Sequence, residues 1–235
     1  MQDNLAVQDV TIRALARLAE TRDNETGNHI LRTQAYVREL ATRVRHHPRF
    51  AAELDDDSLQ QIAKSAPLHD IGKVGIPDHV LLKPGKLTAD EWLVMKSHAR
   101  LGADAIDRAV RDTLQPMKFL TFARQIAMHH HERWNGSGYP DGLAGDAIPL
   151  AARLMAVADV FDAMISRRVY KAPIPFAEVR ETMAGERGRH FDPDLLDAFI
   201  EGFDAFCAIA GRYADDAAPQ PRPVDEAAGA GAMVS

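Results

Sequence analysis

The stretch from Leu150 to Ile165 is rich in Ala, Val, Leu and Met, yet Asp159 is set inside it, in the run Val157-Ala158-Asp159-Val160-Phe161. A helix that is apolar all round has to be enclosed by other helices. A carboxylate within it costs several kcal/mol unless it is paired or metal-bound. The chain must therefore pack layers around this helix and bring a compensating group to Asp159. The same conflict recurs at His69-Asp70, which is flanked by Leu68 and Ile71.

The remaining periodicity is also helical, and the expected fold class is all-α. Val7, Val10, Ala14 and Leu18 recur at helical spacing, as do Ile30, Val37, Leu40 and Val44. Asp57 followed by Gln60 predicts a helix start running towards His69, and Thr88 with Glu91 forms a capping-box pattern. A helix is predicted from Phe119 to His131, stopped by Asn135-Gly136-Ser137-Gly138. Asp192-Pro193 reads as an N-cap with proline at the first helical position, ahead of an apolar stripe of Leu195, Phe199, Phe203 and Phe206. No convincing period-2 strand pairs are found. Aromatics make up only 6% of residues against 46% hydrophobic overall, so the core is expected to rest on Ala, Leu, Val and Ile.

The chain suits one domain over residues 1–212, with 1–22 read as the end of a linker helix from an upstream domain, and 213–235 as a disordered tail. The N-terminal helix could pair with a second copy, or its own bundle could cover its apolar face. A net charge of −6 argues against a general DNA-binding surface. Cys207 is the only cysteine, which excludes an intramolecular disulfide or a thiolate metal site. No signal peptide or membrane span is read, and a cytoplasmic setting is expected.

Histidines and acids collect where helix packing alone would place apolar residues. Glu25 and His29 are four apart, on one face if helical. His69-Asp70 lies near a helix end, His98 in a polar helical stretch, and His130 and His131 are adjacent. Imidazoles and carboxylates without thiolate suit Fe, Mn, Ni or Zn. Five histidines and three carboxylates exceed what one ion needs, so two or three divalent ions are expected, Fe or Mn first. His129 is read as a supporting residue rather than a ligand. Two loops, Gly72 to Gly85 and Trp134 to Pro149, follow the His-rich helix ends and could roof one site.

The order His69-Asp70-Ile71-Gly72-Lys73, then His130-His131-Glu132, then Gly136-Ser137-Gly138-Tyr139-Pro140 resembles the HD-GYP family, a bacterial subgroup of the HD phosphohydrolase superfamily. The resemblance runs from about Asp9 to Phe206. It implies an all-helical bundle around a two- or three-metal centre that hydrolyses cyclic di-GMP, as the output domain of a signalling protein such as a two-component response regulator. The family's ligand pattern falls on Glu25, His29, His69, Asp70, His98, His130, His131 and Asp159. By the same resemblance Asp70 bridges metals, Glu25 points to a third ion, and Lys73, Arg168 and Lys171 bind substrate phosphate. Lys73, four residues after His69, is close enough to reach a phosphate on the metals, and Arg168 offers bidentate phosphate contacts. Asn135 and Val169 depart from the family's common aspartate and proline, and neither departure removes a ligand. Gly136 and Gly138 are expected to supply positive φ, and Pro140 to fix the turn. Tyr139 is open to packing, to substrate or to a partner.

The expected reaction is metal-assisted hydrolysis of a cyclic dinucleotide, with Asp70 and Lys73 at the reacting phosphate, giving pGpG and then GMP. Two alternatives stand beside it. One is a hydrolase preferring pGpG or another cyclic dinucleotide. The other is a catalytically weak module that binds nucleotide, or a diguanylate-cyclase partner through the Gly-Tyr-Pro loop.

Overall fold

A computed structural model describes residues 2–22, 28–111, 117–166 and 173–214, with side chains from residue 10 onward. The α-helices in chain order are α1 (Gln2–Glu20), α2 (His29–Val44), α3 (Asp56–Ser65), α4 (Asp78–Leu81), α5 (Ala89–Lys96), α6 (His98–Arg111), α7 (Lys118–His129), α8 (Leu150–Ile165), α9 (Phe176–Ala184), α10 (Pro193–Glu201) and α11 (Phe203–Arg212). Among the described residues there is no strand, only the isolated bridges Asn135–Ala144 and Arg187–Phe191. The fold is all-α. No described helix is long and apolar enough to cross a membrane.

The apolar segment Leu150 to Ile165 is α8, and every residue from Leu150 to Ala158 is buried. Helices α2, α7, α9 and α10 pack on it. The sparse aromatics are concentrated rather than spread. Phe161 makes edge contacts with Tyr36, Phe199, Phe203 and Phe206 at ring-centroid distances of 5.1, 5.3, 5.7 and 6.1 Å. Burying such a ring is worth about 1.5–3 kcal/mol. The stripe Leu195, Phe199, Phe203 and Phe206 is wholly buried, although Gly202 divides it between α10 and α11.

A smaller core of Ala16, Ile30, Leu68, Ile106, Ala123 and Ala127 joins α1, α2, α6 and α7. Here α1 differs from a core-facing amphipathic helix. Ala16 and Ala19 are the residues it buries, while Val10, Ala14 and Leu18 face outward, Val10 and Leu18 at 61% and 66% exposure. Small side chains let α1 lie close to the turns on either side of His69, and the larger residues of the stripe stay on the far side. The bundle therefore does not cover this stripe. The side chain of Val7 lies outside the described residues.

Local signals place most boundaries. Thr88 and Glu91 form the complete capping box of α5, and Asp192 caps α10 with Pro193 following. The start of α3 is two residues earlier than predicted: Asp55, not Asp57, accepts from the Ser58 amide at 2.6 Å. Nor does α3 reach His69, because Pro67 falls in a separate 3-10 turn, Ala66–Leu68. The stretch from Gly72 to Gly85 is more ordered than a loop, holding a 3-10 turn, Ile71–Gly75, and α4. The tail beyond residue 214 lies outside the described residues.

Candidate metal centre

The site is assembled mostly from helix ends. His29 opens α2 and His98 opens α6. His69-Asp70 lies between the two 3-10 turns, and His130-His131 directly follows α7. Asp159 alone comes from mid-helix, on α8. Its side chain is 18% exposed, so it faces the site rather than the apolar core.

Seven of the eight sequence-selected ligands fall into two adjoining groups. Asp70, His98, His130 and His131 form one, and His29, His69 and Asp159 the other, with ligand atoms inside each group within 4.8 Å of one another. Asp70 lies between them. Its Oδ2 is 3.3 Å from His69 Nε2, and its Oδ1 is 3.2 Å from His98 Nε2 and 3.6 Å from His130 Nε2. One carboxylate oxygen thus addresses each group, the geometry of a bridging ligand. Glu25 lies outside the described residues, as do Arg168, Val169 and Lys171.

Hydrogen bonds behind the rings fix how the imidazoles present themselves. Nδ1 of His69, His98 and His130 lies 3.0, 2.8 and 2.9 Å from the carbonyls of Ala66, Met95 and Ile126. Nδ1 of His29 lies 2.8 Å from Asp162 Oδ2. Each Nδ1 must carry the proton to donate to these acceptors, which leaves the Nε2 lone pair pointing into the site. His29 Nε2 and His69 Nε2 then face each other at 3.3 Å with no proton between them. Among the described residues, Asp70 Oδ1, His98 Nε2 and His130 Nε2 are buried without a hydrogen-bond partner. Converging buried acceptors without donors are what a cation would satisfy, so the residues fit a divalent metal centre.

The electrostatics agree at Asp70, His130 and His131. Burial opposes the charged form of Asp70, but Lys73, at 2.7 Å, and His69 outweigh it and hold its pKa well below the carboxylate range. Burial pushes His130 and His131 down, keeping both imidazoles neutral as ligands must be. His69 moves the other way: burial would lower it, but the negative charges of Asp70 and Asp159 dominate.

Several supporting residues carried no assignment from sequence. Asp162 is one turn after Asp159, and its carboxylate is 1% exposed. It accepts from His29 and, at 2.7 and 3.0 Å, from the buried guanidinium of Arg32. The reasoning that singled out Asp159 as an acid in an apolar helix applies to Asp162 with more force. Partners of this kind typically control metal affinity by 10–100-fold. Asp162→Asn is expected to weaken metal binding within that range while leaving every ligand in place, as read by titration of the metal-free protein. An unchanged affinity would show that Asp162 serves only Arg32.

Glu132 is the second such residue. It is buried, and its carboxylate accepts from the amides of Asp141, Gly142 and Leu143 at 2.8, 3.1 and 3.1 Å, tying the long loop to the ligand pair. His129 stands outside both groups, against Asp141 at 3.1 Å, as a supporting role requires. Gly136 has the expected positive φ of 79°, but Gly138 does not. A Cβ at Gly138 would come within 2.4 Å of the Arg133 amide nitrogen and 2.6 Å of the His131 carbonyl, so close backbone approach is its reason. The Tyr139-Pro140 peptide bond is cis. Asn135 Oδ1 accepts from the amide and hydroxyl of Ser137 at 3.0 and 2.7 Å, so the loop keeps its side-chain cap without an aspartate. Tyr139 turns inward and stacks on His131 at 4.7 Å.

Comparisons with known proteins point the same way. Residues 13–195 match the HD domain family. A cyclic di-GMP phosphodiesterase of Vibrio cholerae serotype O1 is 51% identical over 89% of this chain and 42% of its own length. A 3′3′-cGAMP-specific phosphodiesterase of the same organism is 42% identical over 86% of this chain and 36% of its own. The chain spans about half or less of the length of the curated relatives it matches. A solved structure described as an HDG"Y"P protein from Bdellovibrio bacteriovorus aligns with a TM-score of 0.51 and 20% identity, covering 73% of this chain and 51% of the other, a likeness of fold alone.

Proposed function

The chain belongs to the HD domain family and carries the motif set of its HD-GYP branch, and on that premise we propose that it is a metal-dependent phosphodiesterase that linearises cyclic di-GMP. The observation that carries the reading is Asp70, with one oxygen on each of two groups of inward-facing ligands. His29, His69 and Asp159 would hold one divalent ion, and His98, His130 and His131 a second, with Asp70 shared. Glu25 would serve a third. Ions held there would acidify the attacking water and take up charge on the phosphoryl oxygens.

The chain's own residues do the rest. Lys73, whose ammonium is held against Asp70 at 2.7 Å, is proposed to pair with an oxygen of the reacting phosphate. Arg168 and Lys171 are proposed to grip the second phosphate. Water adds across the P–O3′ bond, giving linear pGpG, and a second cut would give GMP. Fe or Mn is the proposed metal, with Ni or Zn as alternatives.

Activity as the output domain of a longer signalling protein in the cytoplasm belongs to the same proposal. So does pairing of two copies through the outward stripe Val10, Ala14 and Leu18, which the bundle leaves exposed. A diguanylate-cyclase partner at the Gly-Tyr-Pro loop would meet exposed Asn135 and Ser137 rather than the inward Tyr139. The reaction is tested by offering anaerobically purified, Mn- or Fe-loaded protein cyclic di-GMP, 3′3′-cGAMP and pGpG in parallel. Cyclic di-GMP is expected to be cut fastest, with pGpG appearing first. Faster cleavage of either other nucleotide would reassign the substrate, and no cleavage of any would leave a binding module.

A further inference from the structure

Helix α5 contributes nothing to the core: none of its residues is buried. It is nonetheless held firmly. Thr88 and Glu91 close a capping box, and Glu91 also pairs with Lys83 at 2.5 Å. The helix presents Trp92, Leu93 and Val94, at 47%, 61% and 39% exposure, and of these Trp92 is the one in ring contact with the site. Trp92 and Lys96, four residues apart, share one helix face, and that face meets Tyr139. The Trp92 ring is 6.2 Å from the Tyr139 ring at an interplanar angle of 78°, and Lys96 Nζ is 5.7 Å from the same ring. Tyr139 in turn stacks on His131. Two ring contacts therefore lead from the metal centre to an open indole, with the Lys96 ammonium over the Tyr139 ring between them.

We infer that Trp92 is a stacking surface for a guanine base of the substrate, with Lys96 reading that base's O6 and N7 edge. The inference rests on the nucleotide reading above and deepens it. An exposed indole is otherwise a liability, whereas a purine covers it at a gain, since aromatic side chains stack on bases with sequence-tolerant strength. Lysine pairs with the acceptor edge of guanine rather than with the donor at adenine N6, so a ring and an ammonium together favour guanine. Placement also suits the chemistry: a base lies one ribose from its phosphate, and Trp92 lies two ring contacts from His131.

The test uses the metal-loaded chain and calorimetric binding of cyclic di-GMP and of GMP, with wild type, Trp92→Ala, Trp92→Phe and Lys96→Met. Losing one stacking ring is expected to weaken binding about tenfold in Trp92→Ala. Trp92→Phe should recover most of that loss, and bound-metal content should match wild type in both. Nucleotide should quench indole emission in wild type and not in Trp92→Phe, which retains only Trp134. Lys96→Met should weaken guanine nucleotides more than adenine ones. Wild-type affinity in Trp92→Ala, or equal losses in Trp92→Ala and Trp92→Phe, would overturn the inference, including in favour of a protein partner on this face. The two readings fail separately. If wild type cleaves cyclic di-GMP and Trp92→Ala binds it equally well, only the stacking surface falls. If wild type ignores cyclic di-GMP but binds GMP with the Trp92 signal, the stacking surface stands and the proposed substrate falls.

Discussion

Asp70→Asn is expected to lower cyclic di-GMP turnover by more than about 100-fold and to strip the protein of most of its metal. Residues that only support a metal ligand already control affinity by 10–100-fold, and Asp70 faces both groups of ligands directly. The substitution keeps the shape and removes the charge. The amide must orient in one way: its oxygen accepts from Lys73, now 2.7 Å from Oδ2, and its nitrogen takes the place of Oδ1 and donates to His98 Nε2, 3.2 Å away. That donor satisfies a buried lone pair which has no partner among the described residues. That bond offsets only part of the lost pairing with the Lys73 ammonium, so the metal-free variant should melt below metal-free wild type, and it should gain no stability when metal is added, whereas wild type gains. Metal analysis, turnover and thermal melts with and without Mn check this. Wild-type metal content with full turnover would remove Asp70 from the bridging position.

Much of this centre was legible because its residues conflict with their local setting. His69-Asp70 between Leu68 and Ile71, and Asp159 within α8, stand out as ionisable groups where packing asks for apolar ones, and α8 itself falls on the predicted bounds. Capping chemistry is equally local, so Thr88 and Asp192 were readable, and among three consecutive acids the choice of Asp55 over Asp57 was not. What the sequence hides is long-range. Helical spacing says which residues of α1 share a face, but not that the bundle takes the alanine face and leaves Val10 and Leu18 outside. Asp162 carries the same signal as Asp159, and only the arrival of His29 and Arg32 from α2 separates a supporting acid from a ligand. The exposure of Trp92 appears only when α5 is placed.

Gly72→Ala should do as much damage as a ligand substitution although Gly72 binds nothing. A Cβ there would lie 2.0 Å from the His98 carbonyl oxygen and 2.5 Å from the Gly102 amide nitrogen, both backbone atoms of the first turn of α6. A side chain could rotate away from such a clash, whereas this turn can only translate. It cannot do so cheaply, because Gly102 packs against Ala127 of α7 in a close-packed interior. Any translation carries His98 off Asp70, so strain and loss of metal arrive together. Overpacking costs about 1–3 kcal/mol where side chains can adjust, and a backbone clash places this variant at or above the upper end. Gly102→Ala is the matched control: its Cβ would meet Gly72 N at 3.2 Å, Ile71 Cγ2 at 3.3 Å and Ala127 Cβ at 3.4 Å, contacts that yield by a few tenths of an ångström. Denaturant melts should rank wild type, Gly102→Ala and Gly72→Ala in falling stability, and metal binding should be kept by the second and lost by the third. Equal stability and equal metal content in the two variants would show that α6 is not held in place by this contact, and that His98 reaches Asp70 for another reason.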